Sequence, residues 1–141
     1  SGRLREAAAL FRQAESLAVR EGDRWTTGMA VSNLGSTLQD LGLWREAEEA
    51  QQRSLSIAHE IGTALGISAQ LFVLGELRRD QGELDQARRL FEESLELYLQ
   101  TGDRRWRGQV QDALASISLA AGDPEDAAGQ GQETAQAGER R

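Results

Sequence analysis

Several residue types are missing or scarce in this chain. Cysteine is absent, which excludes disulfide bonds, thiolate zinc sites and a cysteine nucleophile. Lysine is absent as well, so all 16 basic residues are arginine, a composition that, with abundant alanine and glycine, indicates a GC-rich bacterial genome. The single histidine, His59, excludes metal binding by a histidine pair, and the segment that follows it lacks the second histidine of zinc proteases. We therefore predict no metal, no cofactor and no catalytic site.

Long apolar runs and a positive charge balance are also lacking. No segment approaches the ~18 apolar residues that a membrane span requires, and the first residues do not have the pattern of a secretion signal. The net charge of −7 argues against nucleic acid as a partner, because binding to phosphates needs a concentrated basic face. These features predict a cytoplasmic protein that binds neither membranes nor nucleic acid.

Glycine is plentiful and regularly spaced. Gly2, Gly42, Gly82 and Gly122 lie 40 residues apart, and a second series lies midway, at Gly22, Gly62 and Gly102. Other columns repeat at the same period: Ala7, Ala47, Ala87 and Ala127; Leu34, Leu74 and Leu114; Leu4, Trp44, Leu84 and Pro124. A fixed period of this length indicates a supersecondary unit copied along the chain.

The segments between the glycines have the apolar spacing of helices. Ala87, Leu90, Phe91, Leu95 and Tyr98 follow the i, i+3, i+4, i+7 pattern of an amphipathic helix. Glycine can end a helix in the left-handed conformation, and the expected caps of the following helices are Asp23, Thr63, Asp103 and Asp123. The sequence predicts an all-α fold with helices at 3–21, 24–41, 44–61, 64–81, 84–101 and 104–121, and a short or frayed one at 124–137.

These columns resemble the tetratricopeptide repeat. One set is Leu34-Gly35, Gly42 and Ala47; the fuller set is Leu74-Gly75, Gly82, Ala87 and Phe91. The period is 40 residues instead of the usual ~34, and Asn33-Leu34-Gly35 with Gly-Asp-Arg at 22–24 and 102–104 is similar to the long variant of kinesin light chains. Similar arrays form helical tails of bacterial signalling ATPases and transcription regulators. The third repeat departs most, with Ala115 in place of glycine and Gly131 in place of the aromatic residue.

The resemblance implies a right-handed superhelical solenoid of antiparallel helix hairpins. We divide the chain into the second helix of an incomplete repeat (1–22) and three repeats (23–62, 63–102 and 103–141, the last with a weak final helix). We expect it to be a segment of a longer array.

In this family the first helices of successive hairpins line a concave groove that binds a peptide or a partner helix. On these helices, the face turned away from the core holds the candidate site: Asn33, Ser36, Gln39, Phe72, Glu76, Arg79, Asp112 and Ser116. The Asn33 amide can both donate to and accept from a peptide backbone, and Arg79 can bind a carboxylate through two N–H groups. Phe72 is the expected apolar anchor, whereas Trp25 and Trp106 are expected to pack between repeats or at the groove's rim. The predicted function is non-catalytic protein binding.

Two alternatives remain open at this point. The chain can be a regulatory module that senses a small molecule or signalling peptide for an effector domain. It can also be a structural module that forms a homodimer, because the unpaired first helix leaves Leu10, Leu17 and Val19 exposed.

Overall fold

In the computed structural model, which describes residues 2–120, every regular element is a helix. These are α1 (Gly2–Glu21), α2 (Arg24–Asp40), α3 (Trp44–Ile61), α4 (Ala64–Asp80), α5 (Leu84–Gln100) and α6 (Arg107–Ala120). The predicted all-α repeat fold is confirmed. The chain divides into two compact units, residues 1–70 and 71–141, so that the first unit holds α1 to α3 and the beginning of α4.

The glycine series and two of the caps behave as the sequence predicts. All five glycines that follow a helix have positive φ, between 71° and 81°: Gly22, Gly42, Gly62, Gly82 and Gly102. The Asp23 carboxylate accepts a hydrogen bond from the Thr26 backbone N–H at 3.0 Å, and the Thr63 hydroxyl accepts one from the Gly66 N–H at 3.2 Å. Left-handed glycine followed by a capping residue therefore separates these helices.

The predicted start of the sixth helix at residue 104 is wrong, because Asp103 caps a turn and α6 begins at Arg107. The Asp103 carboxylate accepts hydrogen bonds from the Arg105 backbone N–H at 2.9 Å and from its guanidinium at 2.7 Å. The Tyr98 hydroxyl donates to Asp103 at 3.0 Å and accepts from the Trp106 N–H at 2.7 Å. The Arg105 hydrogen bonds hold the pKa of Asp103 well below its ordinary range. The seventh predicted helix lies outside the described residues.

Each unit has its own apolar core. In the first unit α1, α2 and α3 contribute Ala8, Val31, Leu34, Leu38, Ala47 and Ala50, with Phe11 packed against them. In the second unit the core consists of Ala87, Phe91, Val110, Ala113, Leu114 and Ile117, with Phe72, Leu84 and Leu95 against it. The Leu34 and Ala47 columns of the sequence are thus core positions in both units.

Glycine is required at two positions where a side chain of the next helix packs directly on the backbone. A Cβ atom on Gly35 would lie 2.5 Å from Nε2 of Gln51, and a Cβ on Gly75 would lie 2.5 Å from a ring carbon of Phe91. Both distances are shorter than any non-bonded carbon contact allows. The glycine of each Leu-Gly pair therefore leaves room for the side chain 16 positions later. Gly35 makes room for Gln51 in the first unit, and Gly75 makes room for Phe91 in the second.

Candidate functional site

The predicted site residues on α2 all belong to the first unit. Asn33 and Ser36 are exposed, and Gln39 is half-buried. The Ser36 hydroxyl accepts a long hydrogen bond, 3.4 Å, from the Gln51 amide beneath it. Asn33 therefore presents its amide at the surface, whereas Ser36 is tied to the layer below.

The other predicted residues belong to the second unit, on α4 and α6. Phe72 is half-buried against Phe91, with ring centroids 5.3 Å apart. The Arg79 guanidinium lies 3.9 Å from the Glu76 carboxylate, 3.8 Å from that of Asp80 and 5.9 Å from the centre of the Phe91 ring. A ligand carboxylate at Arg79 would therefore have to replace acidic neighbours that are already in place. Asp112 and Ser116 are exposed on α6.

Glu76 has an unusual environment for a surface carboxyl group. Its partial burial raises its pKa above the ordinary value of 4.5, and the nearby Arg79 only partly opposes that effect. Burial disfavours the charged form of a carboxyl group. Glu76 therefore holds its proton more tightly than a fully solvated glutamate does.

The first unit contains a pocket that includes Asn33 and that the sequence pattern did not reveal. We call it the Trp25–Met29 pocket; it lies between α2 and the start of α4, over α3, with a volume of about 290 Å³. Its lining consists of Trp25, Gly28, Met29, Ser32, Asn33, Ser54, Ile57, Ala58, Ile61, Gly66, Ala69 and Gln70. None of these side chains is charged. Trp25 and Met29 are 57% and 53% exposed, which is high for side chains of this kind.

The floor of the pocket belongs to a buried polar network centred on Gln51 and Gln70, which are 0% and 6% exposed. The Gln70 amide donates to Oε1 of Gln51 at 2.6 Å, and the Gln51 amide donates to the Ser32 carbonyl at 3.0 Å. The Ser54 hydroxyl lies 3.0 Å from the Gly28 carbonyl and 3.1 Å from Oε1 of Gln70. Buried amides that are satisfied in this way fix the positions of the helices that carry them.

An ion pair lies beside this pocket, between residues that adjoin its lining in the sequence. Arg24 donates from Nε and from a terminal nitrogen to one oxygen of Glu60, at 3.0 and 2.8 Å. Each charge is neutralised by the other. The neutral lining therefore determines which ligand chemistry the pocket accepts.

Sequence reasoning missed the Gln51–Gln70 network and assigned Trp25 to packing or to the rim. One signal was available in the 40-residue columns. Gln51 occupies the column of Phe11 and Phe91, and Gln70 occupies that of Ala30 and Val110. Two amides at apolar columns, on helices that are neighbours in an array, indicate a buried polar pair.

A larger cleft of about 670 Å³ lies between α1 and α3. Its lining includes six charged side chains: Arg12, Glu15, Arg20, Glu46, Glu49 and Arg53. Glu15 and Arg53 form an ion pair across it. Because its charges are of both signs and already paired in part, we consider this cleft a solvated surface. The apolar side chains Leu10, Leu17 and Val19 of α1 are exposed, as predicted.

Two further features are absent from the described residues. Among residues 2–120, no group of three histidine, cysteine, aspartate or glutamate side chains is placed to hold a metal ion. None of the helices in that part of the chain is long and apolar enough to cross a membrane.

Comparison with known proteins identifies the family. The model of the tetratricopeptide repeat matches residues 26–100 and 67–139. The chain belongs to the tetratricopeptide repeat family. Tetratricopeptide repeats are protein-interaction modules, so this chain has the fold of such a module. No curated protein sequence matches it significantly.

Several solved structures share its fold. BtubC (BKLC) of P. vanneervenii has a TM-score of 0.83 at 20% identity, over 96% of this chain and 56% of its own. A Podospora anserina protein described as a kinesin light chain with nearly identical repeats has a TM-score of 0.77 at 19% identity, over 94% and 65%. The apo form of RapI has a TM-score of 0.69 at 18% identity, over 92% and 34%. The chain spans less than two thirds of the length of each.

Proposed function

We propose that this chain is a non-catalytic module that binds a protein partner, as an extended peptide or a helix, on the exposed side chains of its first helices. The observation that carries this proposal is the Trp25–Met29 pocket, which lies beside the exposed amide of Asn33. Large apolar side chains that stand exposed around an uncharged pocket are typical of the anchor points of protein interfaces. The Asn33 amide supplies the donor and the acceptor that an extended backbone needs.

In this proposal, charged side chains of the second unit select among partners by their charge. Glu76 and Arg79 lie together on α4, and Asp112 and Ser116 are exposed on α6. Ligand groups that pair with these side chains would add specificity more than affinity, because exposed charge pairs contribute about 0–1 kcal/mol each. We place the module in the cytoplasm and assign it no cofactor and no reaction step.

A peptide-library selection on the purified chain tests this function. The test variant is Asn33→Ala with Arg79→Glu. The matched control replaces one exposed amide by alanine and one exposed arginine by glutamate, but on second helices: Gln52→Ala with Arg89→Glu. We expect the chain and the control to enrich one consensus that the test variant does not enrich, at equal helicity by circular dichroism. No enrichment, or a consensus that survives the test variant, would refute the assignment.

Self-association is a second candidate function, supported by the exposed apolar side chains of α1. Leu10 and Leu17 are 63% and 54% exposed on one helix. Their counterparts one period later, Ala50 and Ile57, are buried. A second copy that covers α1 would give a mass that rises with concentration in sedimentation equilibrium, and Leu10→Ser with Leu17→Ser would abolish the rise. A constant monomer mass would exclude this candidate.

A further inference from the structure

The Trp25–Met29 pocket combines a polar floor with apolar walls, and the two together specify a class of ligand. We propose that it binds one uncharged phenol group, a single aromatic ring that carries a hydroxyl donor. The group can come from a free phenol or from a tyrosine side chain of a partner. This inference deepens the proposed function and rests on it only for the second source.

Electrical neutrality is the first property of the ligand that the pocket determines. None of the twelve lining residues carries a charge, and the nearby charges of Arg24 and Glu60 are paired at 2.8 Å. A charged group that entered the pocket would lose its hydration without gaining a counter-charge, which is strongly unfavourable. An uncharged ring does not incur this penalty.

The floor determines that the ligand is a hydrogen-bond donor. The Ser54 hydroxyl has one hydrogen, yet two acceptors lie within reach of it, the Gly28 carbonyl at 3.0 Å and Oε1 of Gln70 at 3.1 Å. Nε2 of Gln70 has two acceptors, both on Gln51, the side-chain oxygen at 2.6 Å and the backbone carbonyl at 3.4 Å, which is one for each of its two hydrogens. The floor therefore has lone pairs to spare on Ser54 and Gln70 and no spare hydrogen. A hydroxyl group of a ligand can donate to one of these oxygens without displacing a bond of the network.

The walls of the pocket favour a ligand that consists of a single aromatic ring. The volume of about 290 Å³ lies at the lower limit of the roughly 300–1,000 Å³ of pockets that hold drug-sized ligands. Trp25 and Met29 line the pocket. An indole ring can stack with a ligand ring, and a thioether makes favourable contacts with one. Ile57 and Ile61 complete the apolar lining.

Met29 provides a direct probe of the pocket, because it is the only methionine of the chain. Methyl-labelled methionine therefore gives a single NMR signal. We expect p-cresol to shift this signal at saturable concentrations. The O-methylated analogue 4-methylanisole, which lacks the donor, should bind about tenfold more weakly, since one hydrogen bond is worth about 1 kcal/mol or slightly more. The anion 4-hydroxybenzoate should bind more weakly still.

Two variants test whether the signal comes from the pocket. Ala69→Leu fills the pocket and should abolish p-cresol binding, whereas Ala9→Leu, the same change on the exposed face of α1, should leave it unchanged. Ser54→Ala removes a floor acceptor and should reduce the preference for p-cresol over 4-methylanisole. Equal binding of these two compounds to the unmodified chain, or binding that persists in Ala69→Leu, would overturn the proposal.

A third arm identifies the source of the phenol. A tyrosine peptide and its phenylalanine counterpart are titrated beside p-cresol. If the tyrosine peptide binds more tightly than p-cresol and than the phenylalanine peptide, a partner's side chain is the ligand. If only p-cresol binds, the phenol site holds as a small-molecule site, and the pocket's part in peptide binding is refuted. No shift of Met29 with any phenol overturns the inference, whatever the library selection shows.

Discussion

The Gln51–Gln70 pair is expected to behave as one energetic unit. Gln70→Val removes the 2.6 Å hydrogen bond and leaves Oε1 of Gln51, in a fully buried residue, with only the Ser32 hydroxyl at 3.3 Å. Gln51→Phe removes the side-chain acceptor of the Gln70 amide at 2.6 Å and leaves that amide only the backbone carbonyl of residue 51, at 3.4 Å. A buried polar group that loses its partner costs about 1–3 kcal/mol. Each single substitution should therefore lower the free energy of unfolding by about 2 kcal/mol.

The double substitution should be much less harmful than the two single ones together. It reproduces in the first unit the apolar pair that the second unit has at the same columns, Phe91 and Val110, which pack in one core. Replacing both partners of a buried hydrogen bond by apolar groups is often nearly neutral. We expect the double variant within about 1 kcal/mol of the unmodified chain, and hence a coupling energy of about 3 kcal/mol between the two sites.

Urea unfolding followed by circular dichroism measures this cycle, with unchanged m-values as the condition for comparing free energies. Gln52→Phe is the matched control, because Gln52 is the exposed neighbour of Gln51 on α3, and it should change stability by no more than about 0.5 kcal/mol. A double variant destabilised by the sum of its singles would refute the reasoning, since it would show two independent sites.

Three further predictions concern single positions. Burial raises the pKa of Glu76 above 4.5, so the folded chain binds this proton more tightly than the unfolded chain, and the free energy of unfolding falls as pH rises past that value. Glu76→Gln should reduce this fall, measured by urea unfolding between about pH 4 and 7. An unchanged dependence of the free energy of unfolding on pH would contradict the prediction. Within residues 2–120, Oε1 of Gln111 is buried without a hydrogen-bond partner, so Gln111→Leu should stabilise by about 1 kcal/mol, and a lower thermal midpoint would show that reasoning to be wrong. Gly75→Ala should destabilise by about 1–3 kcal/mol because its Cβ would meet the Phe91 ring at 2.5 Å. Gly108→Ala, with open space around it, should stabilise by up to about 1 kcal/mol, and similar effects at the two glycines would refute this contrast.

The helices could be predicted closely, because their signals are local. A glycine with positive φ precedes each of α2 to α5, and a side-chain cap adds to it at α2 and α4. The starts of these four helices coincide with their predicted positions. The start of α6 could not be predicted in this way. Asp103 has the sequence of a cap, but its carboxylate is engaged by Arg105 and by Tyr98, a residue of the preceding helix.

For the candidate site, the sequence predicts only which face of each first helix is exposed. Helical periodicity identified Asn33 and Ser36 as exposed, yet it does not show which exposed residues adjoin a cavity, since that depends on the neighbouring helices. Phe72 illustrates the limit: the pattern predicts an apolar anchor there, and only the structure shows that its ring is half-buried against Phe91. Gln51 and Gln70 are 19 positions apart, and their contact is a tertiary one.

The buried amide pair has a consequence for how the array assembles. A strict period makes hairpins interchangeable, so that an array can in principle slip by one unit, exchange hairpins between copies, or stack in a shuffled order. Helix α3 carries Gln51 at the position where α5, one period later, carries Phe91. The helix that follows each of them carries Gln70 in α4 and Val110 in α6. A shuffled neighbour would place a buried amide against an apolar side chain, at a cost of about 1–3 kcal/mol. The Gln51–Gln70 pair thus makes the contact between α3 and α4 specific in an otherwise repetitive chain.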